Sequence, residues 1–143
     1  MKKSANSLEF KFERTIAAPA AEVYDAWLNP KIPGNLWNFA DKLLLNPSVD
    51  GFFYVLTGDI PHYGRFTKTD RPKKIQHTFV SPNTLGQESI VTVSFDTHND
   101  ITHMKLVHSG LPNHELAMKL QDGWNYFFDV FANYFETIAR KKK

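Results

Sequence analysis

The 143-residue chain contains no cysteine. That absence removes disulfides, thiolate nucleophiles and cysteine-based zinc sites at once. It also excludes the small secreted domain held together by disulfides. Long apolar runs are missing too: none approaches the ~18 residues of a membrane span. The start, MKKSANSLEFKFER, is basic, but no apolar stretch follows, so a signal peptide is not expected. These absences point to a cytoplasmic protein with no membrane contact. Charge of one sign is also scarce. The net charge is +2, and the basic residues are scattered except at the ends, MKK and RKKK. That argues against a nucleic-acid partner, and the terminal clusters read as solvated, frayed ends.

Catalytic signatures are equally sparse. There is no Gly-x-Ser-x-Gly elbow and no phosphate loop. Ser109 adjoins His108, but neighbours on a strand aim their side chains apart. Asp25, Asp41, Asp59 and Asp122 show no paired-carboxylate spacing. Of the six histidines, His98, His103 and His108 recur at steps of five, which places neighbours on opposite faces of an extended chain, and no helical His-x-x-x-His pair exists. No metal and no cofactor are expected.

What the chain does have is rings. Aromatics make up 14% of it, with 12 Phe, and the stretch Gly123 to Glu136, GWNYFFDVFANYFE, is half aromatic. Rings of this kind line both cores and apolar pockets. The hydrophobic content of 42% and the length suit one globular domain over residues 1–143, with its core at about 8–138.

Periodicity organises the chain. Leu8 to Ile16 alternates as a half-buried strand, with Phe10, Phe12 and Ile16 on one face. Arg14 falls on that apolar face, so a carboxylate partner or a place near the strand end is expected. APAAEVYDAWLNP reads as a helix begun at Pro19, carrying Val23 and Trp27 on one side and stopped at Asn29-Pro30. A second short helix or turn is expected around Asn35 to Phe39. VDGFFYVLTG, YGRFTKTD, KKIQHTFVS, ESIVTVSFD and ITHMKLVHS follow as strands of an antiparallel meander, giving about six strands in all. The period then changes to 3.6. Leu116, Leu120, Trp124, Phe127, Phe128, Phe131, Phe135 and Ile138 fall within an arc of roughly 120°, a core-facing helical stripe. Asn113 is the expected N-cap. Gly123, inside the helix, predicts a kink or a close backbone approach. The order predicts an α+β arrangement with one long helix against a sheet.

The ordered set APAAEVYDAW, Pro30, Trp37, VDGFF, YGRF, RPKKIQHTF, the run Thr102 to Pro112 and Gly123-Trp124 resembles the single-domain bacterial homologues of the activator of the large heat-shock chaperone ATPase. This AHSA-type family belongs to the START-like, or SRPBCC, superfamily, which also holds polyketide cyclases and birch-pollen-allergen proteins. The resemblance implies a helix-grip fold, with a strongly curved antiparallel sheet around the C-terminal helix and an apolar cavity between them. Two departures stand out. Trp37-Asn38-Phe39 replaces the family's frequent Trp-Trp-Gly, and Asp50-Gly51 replaces Gly-Gly. The segment Phe39 to Pro47 is therefore expected to shape the cavity entrance differently.

Strand parity selects the candidate lining. Phe53 and Val55 share a face, as do His77 and Phe79, Val91 and Val93, and Met104, Leu106 and His108. Tyr63 and Phe66 have opposite parity, and Phe66 is the one taken to point inward. Trp37 joins these, and Trp124, Phe127, Phe128 and Phe131 oppose them from the helix. His77 and His108 are the polar candidates, either as satisfied core histidines or as ligand-orienting or acid/base groups.

Three functions follow from the resemblance. The first is a module binding a small hydrophobic or aromatic molecule in the cavity. The second is a cavity enzyme of the cyclase or aromatase type, although no recognisable catalytic motif supports it. The third is a protein that contacts the chaperone. A monomer and a homodimer both remain open.

Overall fold

A computed structural model describes residues 7–141. The expected frayed ends, MKK and the last two lysines of RKKK, lie outside these residues. The chain forms β1 (Leu8–Ile16), α1 (Ala20–Trp27), β2 (Lys42–Leu45), β3 (Phe52–Thr57), β4 (Ile60–Asp70), β5 (Lys74–Phe79), β6 (Ser89–His98), β7 (Ile101–Leu111) and α2 (Glu115–Lys141). A short 3₁₀ turn, Pro82–Thr84, links β5 to β6.

The strands make one curved, seven-stranded sheet in the order β1-β7-β6-β5-β4-β3-β2, antiparallel at every step. β2 to β7 form a meander, and β1 adds beside β7. Register breaks in β1 between Leu8 and Phe10, and in β4 between Phe66 and Lys68, bend the strands. One inner face carries the core, including Phe12, Ile16, Phe53, Val55, Phe66, Ile75, Phe79, Val91, Val93, Phe95, Met104 and Leu106. α2 lies on this face with Trp124, Phe128, Phe131 and Phe135 buried, while Leu120 and Phe127 are half-buried. The helix-grip arrangement expected from the resemblance is the one observed.

Three local expectations differ from the structure. The strand count is seven, because Lys42–Leu45 is also a strand. Leu43 and Leu45 turn inward while Lys42 and Leu44 are exposed, an alternation that the run of three leucines conceals. No helix forms at Asn35 to Phe39. The fully buried Asn35 side chain donates to the carbonyls of Ala26 and Asn29 at 2.8 Å and accepts from the Asn38 amide at 2.9 Å. Trp37 Nε1 donates to the Trp27 carbonyl at 2.8 Å. These side chains bond carbonyls at and just beyond the end of α1, and those bonds hold the segment as successive turns. The α2 N-cap is His114 and not Asn113. The His114 ring Nδ1 accepts from the Leu116 amide at 3.1 Å, and its carbonyl receives the Ala117 and Met118 amides.

Arg14 finds its carboxylate on α2. Its guanidinium reaches Asp129 at 2.9 Å and lies 5.8 Å from the centroid of the Phe128 ring. The close backbone approach expected at Gly123 occurs instead at Gly34, where φ is +98° and a Cβ would stand 2.3 Å from the Phe131 backbone nitrogen. Gly34→Ala therefore forces α2 off the loop and adds left-handed strain. It is expected to cost at least about 3 kcal/mol in urea denaturation.

Candidate functional site

The inward parity of β4 runs from Phe66 back through Gly64 and His62 to Ile60. Its N-terminal end, together with the N-terminal half of α2, encloses a cavity of about 200 Å³. The lining is Leu36, Thr57, Ile60, His62, Phe79, Asn83, Lys119, Leu120, Gly123, Trp124 and Phe127. Gly123 is where the helix makes room. α2 runs unbroken through it, and a Cβ built there meets no neighbouring atom within 4 Å. Phe127 forms one wall and stacks on Phe39 with centroids 4.6 Å apart and planes 9° apart.

Phe79, Trp124 and Phe127 are the predicted lining residues that border this space. Trp37, Phe53, Val55, Phe66, Val91, Val93, Met104, Leu106, Phe128 and Phe131 pack in the core around it, all buried. Phe128 and Phe131 meet Trp27 of α1 edge-on, at 5.6 and 5.1 Å.

The two histidines singled out by parity are buried and neutral. His108 belongs to a continuous relay. The indole Nε1 of Trp124 can only donate, so it fixes His108 Nδ1 as the acceptor, at 3.0 Å. His108 Nε2 then donates to Ser89 Oγ at 2.8 Å, and Ser89 donates to the Phe79 carbonyl at 2.6 Å. Burial, with His77 nearby, lowers its pKa to about 3. His77 donates through Nδ1 to the Thr78 carbonyl at 2.7 Å. Its ring sits among Trp37, Phe53 and Phe66 at centroid distances of 6.1, 4.9 and 5.4 Å. Burial lowers its pKa to about 4. His108 thus ties α2 to β6 and β7, whereas the hydrogen bond of His77 stays within β5 and its ring packs on Trp37 of the loop.

Thr57, His62, Asn83 and Lys119 are the polar residues of the lining. His62 Nδ1 is buried with no hydrogen-bond partner, and its ring lies 5.5 Å from that of Phe79. Burial lowers its pKa, an effect that the Val55 backbone only partly offsets. The expected strand YGRFTKTD begins at Tyr63 and leaves out His62, whereas β4 begins at Ile60 and the Phe66 parity carried four residues back reaches His62. Leu36 and Asn83 come from irregular segments, where no period points to them.

A larger and more open groove of about 380 Å³ lies between α1 and the C-terminal end of α2. Its lining includes Glu22, Asp25, Ile32, Tyr134 and Ile138. Asp25 there is committed to Arg71 through two hydrogen bonds of 2.8 and 2.9 Å. The smaller cavity has the unpaired buried nitrogen and the enclosed aromatic wall, so it is the candidate site.

These two buried histidines give the protein an acid sensitivity with a definite sign. In the unfolded chain these histidines protonate below about pH 6.5. Folded His77 stays neutral down to about pH 4 and folded His108 down to about pH 3. The unfolded state therefore binds more protons throughout this window, and stability falls as pH drops from 6.5 towards 4. The slope contributed is up to about 1.4 kcal/mol per pH unit for each histidine. Urea titrations at pH 7.5, 5.5 and 4.5 are expected to show this decline, and His77→Phe is expected to remove about one histidine's share of the slope.

The fold has solved counterparts. A protein from Mesorhizobium loti aligns with a TM-score of 0.75 at 18% identity, covering 91% of this chain and 98% of its own. An Hsp90 activator from Plasmodium falciparum gives 0.71 at 21% identity, covering 85% and 91%. The Aha1 dimer from Colwellia psychrerythraea gives 0.74 at 13% identity, covering 90% and 96%. No curated protein matches the sequence. The profile of the family described as activator of Hsp90 ATPase homolog 1-like protein matches residues 17–136, from the loop before α1 into the last turns of α2. That span takes in every wall of the cavity and most of the sheet that grips the helix, and the chain belongs to this START-like, AHSA-type family.

Proposed function

We propose that the protein binds a small, largely apolar molecule in the cavity between β4 and α2. The observation that carries this reading is a cavity walled by Phe79, Leu120, Trp124 and Phe127 whose lining includes His62, a residue with a buried Nδ1 that has no hydrogen-bond partner. A buried nitrogen without a partner is unfavourable by roughly 1–3 kcal/mol, and a ligand able to hydrogen-bond there removes that penalty. The volume sets the size. An apolar cavity of roughly 150 Å³ takes benzene, whereas drug-sized ligands occupy about 300–1,000 Å³. About 200 Å³ suits one ring with short substituents. Chemistry on the ligand by His108 has less support, because both of its ring nitrogens are engaged in the relay.

Native mass spectrometry of protein taken directly from cells tests the reading: a small molecule travelling with the chain is expected, and a consistent apo mass would count against it. Two substitutions separate cavity from core. Gly123→Leu is expected to fill the space and abolish binding of a hydrophobic dye while the fold persists. Phe128→Ala is expected to cost about 3–5 kcal/mol of stability, because that ring is core.

A second reading has an observation of its own. On the outer face of the sheet, Leu44 pairs with Tyr54 and Tyr54 with Tyr63, with Phe52 alongside. Leu44 and Phe52 are each 70% exposed and Tyr63 is 48% exposed. An apolar patch of this kind suits a protein partner, and an Hsp90 activator is among the structural neighbours. Pull-down with a bacterial chaperone of that class is expected to show association at micromolar concentration that Phe52→Glu abolishes. Absence of association would remove this reading.

A further inference from the structure

The cavity described above carries one cationic side chain in its lining and no anionic one. Lys119 stands at the mouth, exposed, and makes no salt bridge among the described residues. Glu115 and Asp122 on the same helix and Asp59 in the β3–β4 turn are exposed and do not contribute to the lining. Thr57, His62 and Asn83 are the other polar residues of the lining, and the buried Nδ1 of His62 has no hydrogen-bond partner. The rings of Phe79, Trp124 and Phe127 line the same space. The site therefore combines an aromatic waist, a histidine with an unpaired nitrogen and a solvated positive charge.

Each part restricts the ligand. An aromatic waist of this volume takes one ring. A ring bearing no polar group would leave His62 unpaired, so a hydroxyl on the ring is favoured. A carboxylate inside the waist would lose its hydration uncompensated, but at the mouth it keeps water and gains Lys119. An ammonium at the mouth would meet a like charge. Resting on the ligand-binding reading, we infer that the cavity accepts a single-ring aromatic acid bearing a ring hydroxyl. Its ring lies among Phe79, Trp124 and Phe127, its hydroxyl meets His62, and its carboxylate stands beside Lys119.

Calorimetric titration with four probes tests the assignment: 4-hydroxyphenylacetate, phenylacetate, 4-methylphenol and tyramine. The first is expected to bind most tightly. 4-Methylphenol, without the carboxylate, is expected to bind up to about fivefold more weakly. Phenylacetate, without the hydroxyl, is expected to bind roughly three- to tenfold more weakly, and tyramine weakest of the four. Lys119→Met, an exposed change that leaves the core intact, is expected to erase the advantage of the acid over 4-methylphenol. His62→Phe, which keeps a ring in place, is expected to erase the advantage of the hydroxyl. If 4-methylphenol or tyramine binds the wild type as tightly as the acid, the aromatic-acid assignment is overturned. Loss of that same binding in Gly123→Leu would then leave the cavity reading standing. If none of the four probes shows saturable binding, the assignment is overturned, and the cavity reading rests on the mass of the cellular protein alone.

Discussion

The aromatic stripe of α2 against the concave face of the sheet is the contact on which the rest of the molecule depends. Phe128, Phe131 and Phe135 are buried there. Trp27 holds the stripe from the side of α1, and the Arg14–Asp129 pair ties β1 to the outer surface of the same helix. Rings supply much of the apolar area that a domain of this size can bury. They also stiffen the interface, so space left between them does not readily collapse.

That stiffness explains why the two halves of α2 differ. Towards its C-terminal end the turns of residues 29–40 press against the helix so closely that only a glycine, Gly34, fits beside Phe131. Towards its N-terminal end Gly123 faces open space, and the sheet does not reach in to fill it. Polar groups follow the same division. His77 and His108 lie within packed rings and are bonded to the Thr78 carbonyl and to Ser89 and Trp124 respectively. His62 borders the unfilled end, and its Nδ1 is left without a partner. Water is excluded from all three rings to different degrees, and burial lowers the pKa of each.

Membership of the AHSA-type family establishes the architecture and leaves the activity to be argued from the site, because one fold hosts unrelated functions. The three solved structures compared above are 13% to 21% identical to this chain, a likeness that carries the fold alone. In this chain two features stand apart from general packing: the slot at His62 and the exposed aromatic rows on the outer face of the sheet. They lie on opposite faces of the same strands and share no residues.

The sequence by itself determined the strand–helix–meander–helix order, the faces of β1, β3, β5, β6 and β7, and the buried stripe of α2. These are local properties: side-chain direction repeats every 2 or 3.6 residues whatever lies opposite. β2 escaped because three successive leucines carry no visible period. The loop at Asn35 escaped because its conformation is held by side-chain bonds to carbonyls around the end of α1, several residues away. Parity also showed which candidate side chains point inward, but not which of them meet another side chain and which meet empty space. Phe127 and Phe128 are adjacent on one stripe, yet one borders the cavity and the other is core. Only the tertiary structure decided that, because a void is the volume left over when elements distant in sequence pack together, and no single segment encodes it.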